Sequence, residues 1–132
     1  MRYRSTHKTV YSAKGRLIWC PKYRRRVLVG GVDERLKAII AEVAAEVGAE
    51  VIEVELMPDH MHLLAEVSPT VALSRFVGLL KGWSWRLLRM EFPRLRRLPA
   101  LWSPSWFVSM VGGAPLAVVR RYVENQTAAS RR

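Results

Sequence analysis

The order of apolar patterns along the chain predicts an α+β fold of the ferredoxin-like, RRM-like type, built as a split βαβ arrangement. Two longer segments, at 33–47 and 71–91, repeat apolar residues every three or four positions, as core helices do. Four segments have the composition of strands, and they lie at 15–20, 51–56, 60–67 and 105–111. This order gives an antiparallel sheet with both helices on one face, which leaves the other face free for a ligand.

The chain is short enough to be one domain, and its composition divides it into four parts. Residues 1–12 are predicted to be a basic arm and 13–113 the α+β core. A last helix follows at 114–127, and 128–132 form a tail.

Prolines, glycines and one aspartate mark the expected ends of these elements. Pro21 should end the first strand, because proline cannot continue a hydrogen-bonded ladder. Asp33 is expected to cap the first helix and Gly48 to end it. Pro93 should stop the second helix, and 92–99, with its arginines between prolines, is predicted to be an exposed basic loop.

The charge of the chain favours an anionic partner. It has 22 Lys and Arg against 11 Asp and Glu, a formal net charge of +11. Such an excess repels itself unless nucleic acid or another anion is bound, although a coding bias towards arginine is the alternative explanation. Four cations also surround the ring of Tyr23, an arrangement that suits a phosphate backbone and an unpaired base. The residues predicted to contact DNA are Lys22, Tyr23, Arg24, Arg25, Arg26, Arg75, Lys81, Arg86, Arg94, Arg96, Arg97, Arg120 and Arg121.

The single cysteine, Cys20, excludes an intrachain disulfide and suits a reducing cytoplasm. The basic N-terminus has no apolar run of the kind found in secretory signals. Prolines and glycines interrupt the longest uncharged stretch, 98–119, so no membrane span is expected.

The strands at 51–56 and 60–67 are predicted to form an antiparallel hairpin around a Pro-Asp turn. His60 and His62 then project to the same face, because successive side chains of a strand alternate. Neutral imidazoles are good ligands for divalent metals, although a histidine pair can also be a polar strand face. The apolar residues expected on the core side of the first of these strands are Ile52, Val54 and Leu56. The carboxylates expected on the histidine side are Glu53, Glu55 and Glu66.

The last predicted helix carries a tyrosine and a glutamine four residues apart, which places Tyr122 and Gln126 on one helical face. If that face docks on the open side of the sheet, the amide oxygen of Gln126 can complete a metal site with the two histidines. Tyr122 would then lie beside the ion, where a tyrosine nucleophile needs to be for attack on a phosphodiester. The alternative is a packed or surface tyrosine.

Several short motifs together resemble the single-tyrosine HUH transposases, the TnpA-type, IS200-like enzymes of small insertion sequences. The similarity covers about 7–126. It rests on Trp19-Cys20-Pro21-Lys22-Tyr23-Arg24, Met57-Pro58-Asp59-His60-Met61-His62-Leu63-Leu64, Lys81-Gly82-x-Ser84, Leu101-Trp102-x-Pro104-Ser105-x-Phe107 and Tyr122-x-x-x-Gln126.

This resemblance implies a homodimer that cleaves and rejoins single-stranded DNA at hairpin-bearing transposon ends. It implies that Tyr122 attacks the scissile phosphate and leaves a 5′-phosphotyrosine and a free 3′-OH. It further implies that His60, His62 and Gln126 bind Mg²⁺ or Mn²⁺, and that the histidines of one subunit work with Tyr122 of the other.

Four other functions share part of this pattern of residues. Replication initiators and relaxases of the wider HUH group tend to have a third histidine and often paired tyrosines, whereas in this chain His7 is remote and Tyr122 has no partner tyrosine. A phosphoesterase with two His-x-Thr or His-x-Ser motifs is excluded because there is one histidine pair. A domesticated relative that processes chromosomal repeat hairpins would keep the same site. A non-catalytic single-strand-binding module on the same fold is the alternative from a different class.

Overall fold

Four strands of the computed structural model form one antiparallel sheet, and two short strands form a separate pair. The structure describes residues 5–6, 9–10, 13–67, 72–110 and 123–126. The elements in chain order are β1 (Ser5–Thr6), β2 (Thr9–Val10), β3 (Ala13–Trp19), α1 (Val32–Val47), β4 (Glu50–Met57), β5 (His60–Val67), α2 (Leu73–Glu91) and β6 (Phe107–Met110).

The strand order in the sheet is β4-β5-β3-β6, and every neighbouring pair is antiparallel. The two central strands are therefore β5 and β3, which are separated in sequence by α1 and β4. Together with two helices packed on one face, this order confirms the predicted ferredoxin-like α+β fold.

One face of the sheet is covered by α1 and α2 over its central strands. The β5 residues that point to it, Met61, Leu63, Ala65 and Val67, are at most 1% exposed. They pack in one cluster with apolar residues of both helices, including Ile39 of α1 and Leu80 of α2. Alternate β5 residues face the other way, and this second face is called the open face below.

Glycines with left-handed backbones bound α1. Gly31 (φ 95°) is the N-cap and Gly48 (φ 77°) the C-cap, whose N–H reaches the carbonyl oxygens of the last turn. Gly48 thus ends the helix as predicted, because only glycine adopts this conformation without a steric cost. The expectation that Asp33 caps the helix is wrong, since Asp33 lies inside the first turn. In this position the negative carboxylate of Asp33 still stabilises the helix by its interaction with the positive end of the helix dipole.

A register shift in β4 corrects the prediction for Ile52. The pairing moves from Val51 opposite Ala65 to Glu53 opposite Leu64, so Ile52 has no partner on β5. Such a bulge changes which side chains face the core. Ile52 is 46% exposed, whereas its neighbour Val51 packs against the core in its place.

Two further segments differ from the sequence prediction. The predicted irregular arm contains the short antiparallel pair of β1 and β2. The predicted basic loop contains a 3₁₀ helix, Pro93–Arg97, whose Leu95 is 2% exposed. None of the helices in the described part of the chain has the length and apolarity that a membrane crossing requires.

Candidate active site

His60 and His62 both lie on the open face, near the turn end of the central hairpin. They are half-buried, whereas Met61 between them is fully buried on the opposite face. The register places His62 between Ile18 of β3 and Glu55 of β4. Paired residues of antiparallel strands share a face, so the expected grouping of the histidines with a β4 glutamate is present.

Asp59, the residue before the histidines, holds His60 by a hydrogen bond. The distance between His60 Nδ1 and Asp59 Oδ1 is 2.9 Å. Asp59 Oδ2 in turn accepts hydrogen bonds from Nε and a terminal nitrogen of Arg24. Burial alone would raise the pKa of Asp59, but the hydrogen bonds from His60 and Arg24 together outweigh it and lower that pKa. An ionised Asp59 favours a proton on Nδ1 of His60, which leaves Nε2 with a free lone pair.

His62 differs from His60 because one of its ring nitrogens, Nε2, is buried and has no hydrogen-bond partner within the part of the chain that the structure describes. A buried polar nitrogen without a partner is costly, and binding to a metal ion would satisfy it. The donor set of two imidazoles therefore fits a divalent ion, although the described residues contain no group of three His, Cys, Asp or Glu side chains that could hold one.

A strained turn after β3 brings Arg24 to Asp59. Tyr23 and Arg24 have φ values of 62° and 52°, a left-handed conformation that is unfavourable for side chains other than glycine. The turn is closed by a hydrogen bond of 2.8 Å from the N–H of Arg24 to the carbonyl of Pro21. It leaves Tyr23 36% exposed, with the guanidinium of Arg25 4.8 Å from the ring centroid.

The described residues of the last helix, 123–126, lie on the open face beside the histidine strand. Val123 packs in a small cluster with Ile18, Cys20 and Phe107 of the same chain. Burial raises the pKa of the Cys20 thiol to about 11, so this thiol is neutral. This segment therefore packs on the open face, but among the described residues no hydrogen bond joins Gln126 to either histidine, and Tyr122 lies outside the described residues.

Gln126 is held by two serines. Its carboxamide oxygen accepts hydrogen bonds from the hydroxyls of Ser103 at 2.7 Å and Ser105 at 2.6 Å, and the side chain is 8% exposed. These serines lie in the segment between the 3₁₀ helix and β6. Sequence patterns did not indicate their role, although the Leu101-to-Phe107 motif contains them.

The predicted DNA contacts fall into four groups. In the first group, four side chains already donate hydrogen bonds within the protein. Arg24 binds the carboxylate of Asp59, and Lys81 binds two backbone carbonyls. Arg94 binds the carbonyl of Val29, and Arg96 binds that of Arg89. The second group is exposed and consists of Tyr23, Arg26, Arg75, Arg86 and Arg97. Lys22 and Arg25 are half-buried beside the Tyr23 ring, and Arg120 and Arg121 lie outside the described residues.

Residues 9–126 match the model of the family described as "Transposase IS200 like". The chain is 42% identical over 120 residues to the ISDra2 transposase TnpA of Deinococcus radiodurans, covering 89% of this chain and 86% of that protein. It is 29% identical over 126 residues to the transposase for insertion sequence element IS200 of Salmonella typhimurium, covering 93% and 82%.

Two solved structures have similar folds. A crystal structure of a Deinococcus radiodurans R1 protein assigned as a transposase has a TM-score of 0.83 and 36% identity, over 93% of this chain and 97% of that one. A REP-associated tyrosine transposase bound to a REP hairpin has a TM-score of 0.56 and 16% identity, over 93% and 68%. Because the identity is only 16%, this second similarity shows a shared fold and nothing more.

Proposed function

Because the chain belongs to the IS200-like transposase family, we propose that it cleaves and rejoins single-stranded DNA through a covalent bond to Tyr122. The observation that carries this proposal is the open face, where two histidines and the docked 123–126 segment share one side of the sheet. Tyr122 directly precedes Val123 in the sequence, and Val123 packs beside the histidine strand.

The chemistry is a transesterification. The Tyr122 oxygen attacks the scissile phosphorus, the bond from phosphorus to the 3′ oxygen breaks, the phenol loses its proton and the departing oxygen gains one. The products are a 5′-phosphotyrosine and a free 3′-OH. Attack of a 3′-OH on the phosphotyrosine reverses these bond changes and rejoins strands. One phosphodiester replaces another, so no nucleotide cofactor is consumed.

His60 and His62 are proposed to hold Mg²⁺ or Mn²⁺, with Gln126 as a third ligand once its carboxamide oxygen exchanges the hydrogen bonds from Ser103 and Ser105 for the ion. The bound ion supplies Lewis-acid polarisation of the phosphate, which stabilises charge in the transition state. The fixed orientation of His60 and the unpartnered Nε2 of His62 support this role. Asp59 and Arg24 act as positioning residues for His60, since partners of metal-binding histidines fix the ring orientation and tautomer.

A single-stranded DNA hairpin is the proposed substrate. The exposed Tyr23 ring beside Lys22 and Arg25 offers a stacking surface with cations for the backbone. The REP-associated relative is described as bound to a REP hairpin, which is consistent with this substrate class. The net charge of +11 favours such a polyanion and makes the affinity dependent on salt.

Covalent capture tests the proposal. The protein is incubated with Mg²⁺ or Mn²⁺ and hairpin-bearing single strands from the DNA that flanks its own gene. A protein-linked oligonucleotide is expected for the wild type, and Tyr122→Phe should remove the adduct without loss of DNA binding. Tyr11→Phe, which makes the same change at another position, should keep it. An adduct that persists in Tyr122→Phe rejects Tyr122 as the nucleophile. A non-catalytic binding module would form no adduct in the wild type or in either variant.

A homodimer with sites shared between subunits is also proposed, and mixing two inactive variants tests it. His60→Ala keeps the tyrosine and Tyr122→Phe keeps the histidines. A mixed dimer contains one intact site only if the two halves come from different subunits. Recovery of adduct formation on mixing supports sharing between subunits, and its absence in verified mixed dimers indicates that each subunit uses its own tyrosine.

A further inference from the structure

The segment at 101–105 is attached to α2 by a half-buried lysine. Lys81 donates hydrogen bonds from Nζ to the carbonyl oxygens of Ser103 and Ser105, each at 2.9 Å. The ammonium also lies 5.9 Å from the ring centroid of Trp19. Lys81 therefore contacts the backbone of the same two serines whose hydroxyls bind Gln126.

This ammonium is costly to bury. Burial lowers the pKa of Lys81 to about 8, and within the described ranges no carboxylate forms an ion pair with it. A cation removed from water without a counter-charge is tolerated only where its hydrogen bonds replace hydration. The two carbonyl contacts are such bonds, and they fix the path of the segment.

A second residue of α2 holds the same segment. Ser84 is 1% exposed, and its hydroxyl accepts a hydrogen bond of 2.9 Å from Nε1 of Trp102. Lys81 and Ser84 are three residues apart and hence lie on one face of the helix. The N–H of Ser103 also bonds to the carbonyl of Cys20 at 2.9 Å, which ties the segment to the end of β3.

We propose that Lys81, supported by Ser84, is a positioning residue that sets the two serine hydroxyls and thereby anchors Gln126 and the helix that follows Tyr122. The inference rests on the proposed function, and it assigns Lys81 a role inside the protein instead of a contact with DNA. The anchor places the helix for strand cleavage, whichever subunit supplies the tyrosine.

The test uses Lys81→Met, which keeps an unbranched side chain only one atom shorter and removes its donors, with Lys37→Met as the matched control. Lys37 is half-exposed on α1 and contacts Glu34. Three quantities are measured for each protein: the adduct-forming rate at saturating hairpin DNA, the DNA affinity, and hydrogen exchange of the amides at 123–126.

Lys81→Met is expected to lower the rate about 10- to 100-fold, the effect of a small displacement of a reacting group. Exchange at 123–126 should become faster, while DNA affinity stays within about 2-fold of wild type. Lys37→Met should match wild type in all three. Loss of affinity with an unchanged saturated rate would make Lys81 a DNA contact, and an unchanged or increased rate with unchanged exchange would also overturn the proposal.

A double-mutant cycle separates positioning from general stability. Replacing both Ser103 and Ser105 by alanine removes the bonds to Gln126. If Lys81 acts through those hydroxyls, Lys81→Met should have almost no further effect on the rate in that background. Effects that multiply would contradict the proposal.

Two further readouts keep the test decisive. If Lys81→Met does not fold, Ser84→Ala removes the acceptor of Trp102 and should give the same pattern with a smaller rate loss, and a wild-type pattern in Ser84→Ala would overturn the proposal. If the wild type itself forms no adduct, the proposed function fails, while faster exchange at 123–126 in Lys81→Met still measures the anchor.

Discussion

His60 and Gln126, two members of the proposed ligand set, are held by different kinds of contact. His60 is bonded to the carboxylate of Asp59, which is paired with Arg24, and the side chains of that pair are 14% and 25% exposed. Gln126 accepts hydrogen bonds from two neutral hydroxyls, those of Ser103 and Ser105. The backbone carbonyls of these serines accept hydrogen bonds from Lys81.

The two supports should therefore be sensitive to different changes. The histidine side depends on an ion pair near water, so salt and loss of charge should weaken it. The glutamine side depends on buried bonds, so it should resist salt but respond to any change in the packing of α2 against the 101–105 segment.

Removal of either histidine should have the largest effect. His60→Ala and His62→Ala are each expected to lower adduct formation at least about 1000-fold, because several kcal/mol of charge stabilisation at the phosphate are lost. His7→Ala, the same change at the third histidine, should retain activity. Single-turnover adduct formation measures this, and normal rates in both variants would show that the histidine pair is a structural feature of the strand.

Asp59→Asn should weaken metal binding about 10- to 100-fold, the usual cost of losing the partner of a metal-binding histidine. Titration calorimetry with Mn²⁺ measures the affinity, and ¹⁵N NMR of the ring reports whether the proton stays on Nδ1 of His60. Asp33→Asn, at the other aspartate of the chain, is the control. If Asp59→Asn leaves both the affinity and the tautomer unchanged, the hydrogen bond between Asp59 and His60 has no role in the site.

Arg24→Lys should have a smaller effect, because it keeps the cation and loses the two-nitrogen contact with Asp59. The Mn²⁺ dissociation constant is expected to rise about 2- to 5-fold, corresponding to less than about 1 kcal/mol. The difference from wild type should shrink in high salt. Arg35→Lys alters a comparable pair with Glu91 far from the site and should leave the constant unchanged.

The pH dependence of stability should reveal Lys81. Its folded pKa of about 8 lies below the ordinary value of 10.5, so between these pH values the unfolded chain binds more protons. The unfolding free energy of wild type should therefore rise relative to Lys81→Met across this window, by about 1 kcal/mol given its partial exposure. Both proteins also carry Cys20→Ala, because Lys81 lowers the pKa of the Cys20 thiol and the titration of that thiol would otherwise differ between them. Denaturant unfolding at several pH values measures the difference, and parallel curves would mean that Lys81 is solvated.

Much of the fold could be predicted from the sequence because the apolar residues of the core recur at regular intervals along the chain. The apolar residues of α1, α2 and β5 recur with helical or strand period, and β5 has the predicted bounds, His60–Val67. The same alternation assigned both histidines to the open face. Ile52 departed from the pattern because a bulge is a local shift in pairing that alternation does not encode.

The supports of the site could not be predicted in the same way. Arg24 and Asp59 are 35 residues apart, and Lys81 and Ser103 are 22 apart. Such contacts leave no period in the sequence, and the interpretation of both cations as DNA contacts followed from charge alone. The aspartate directly before the first histidine was a usable signal, since a partner for a metal-binding imidazole is often a carboxylate.

The residue that becomes bonded to DNA can be identified by peptide mapping. After reaction with a hairpin-bearing strand, nuclease and trypsin digestion should leave a nucleotide on the fragment 122–131, which contains Tyr122 as its single tyrosine. Mass spectrometry of that fragment should show the added nucleotide mass on Tyr122. A nucleotide on another tyrosine, or strand cleavage with no protein-linked product at any time, would contradict the account.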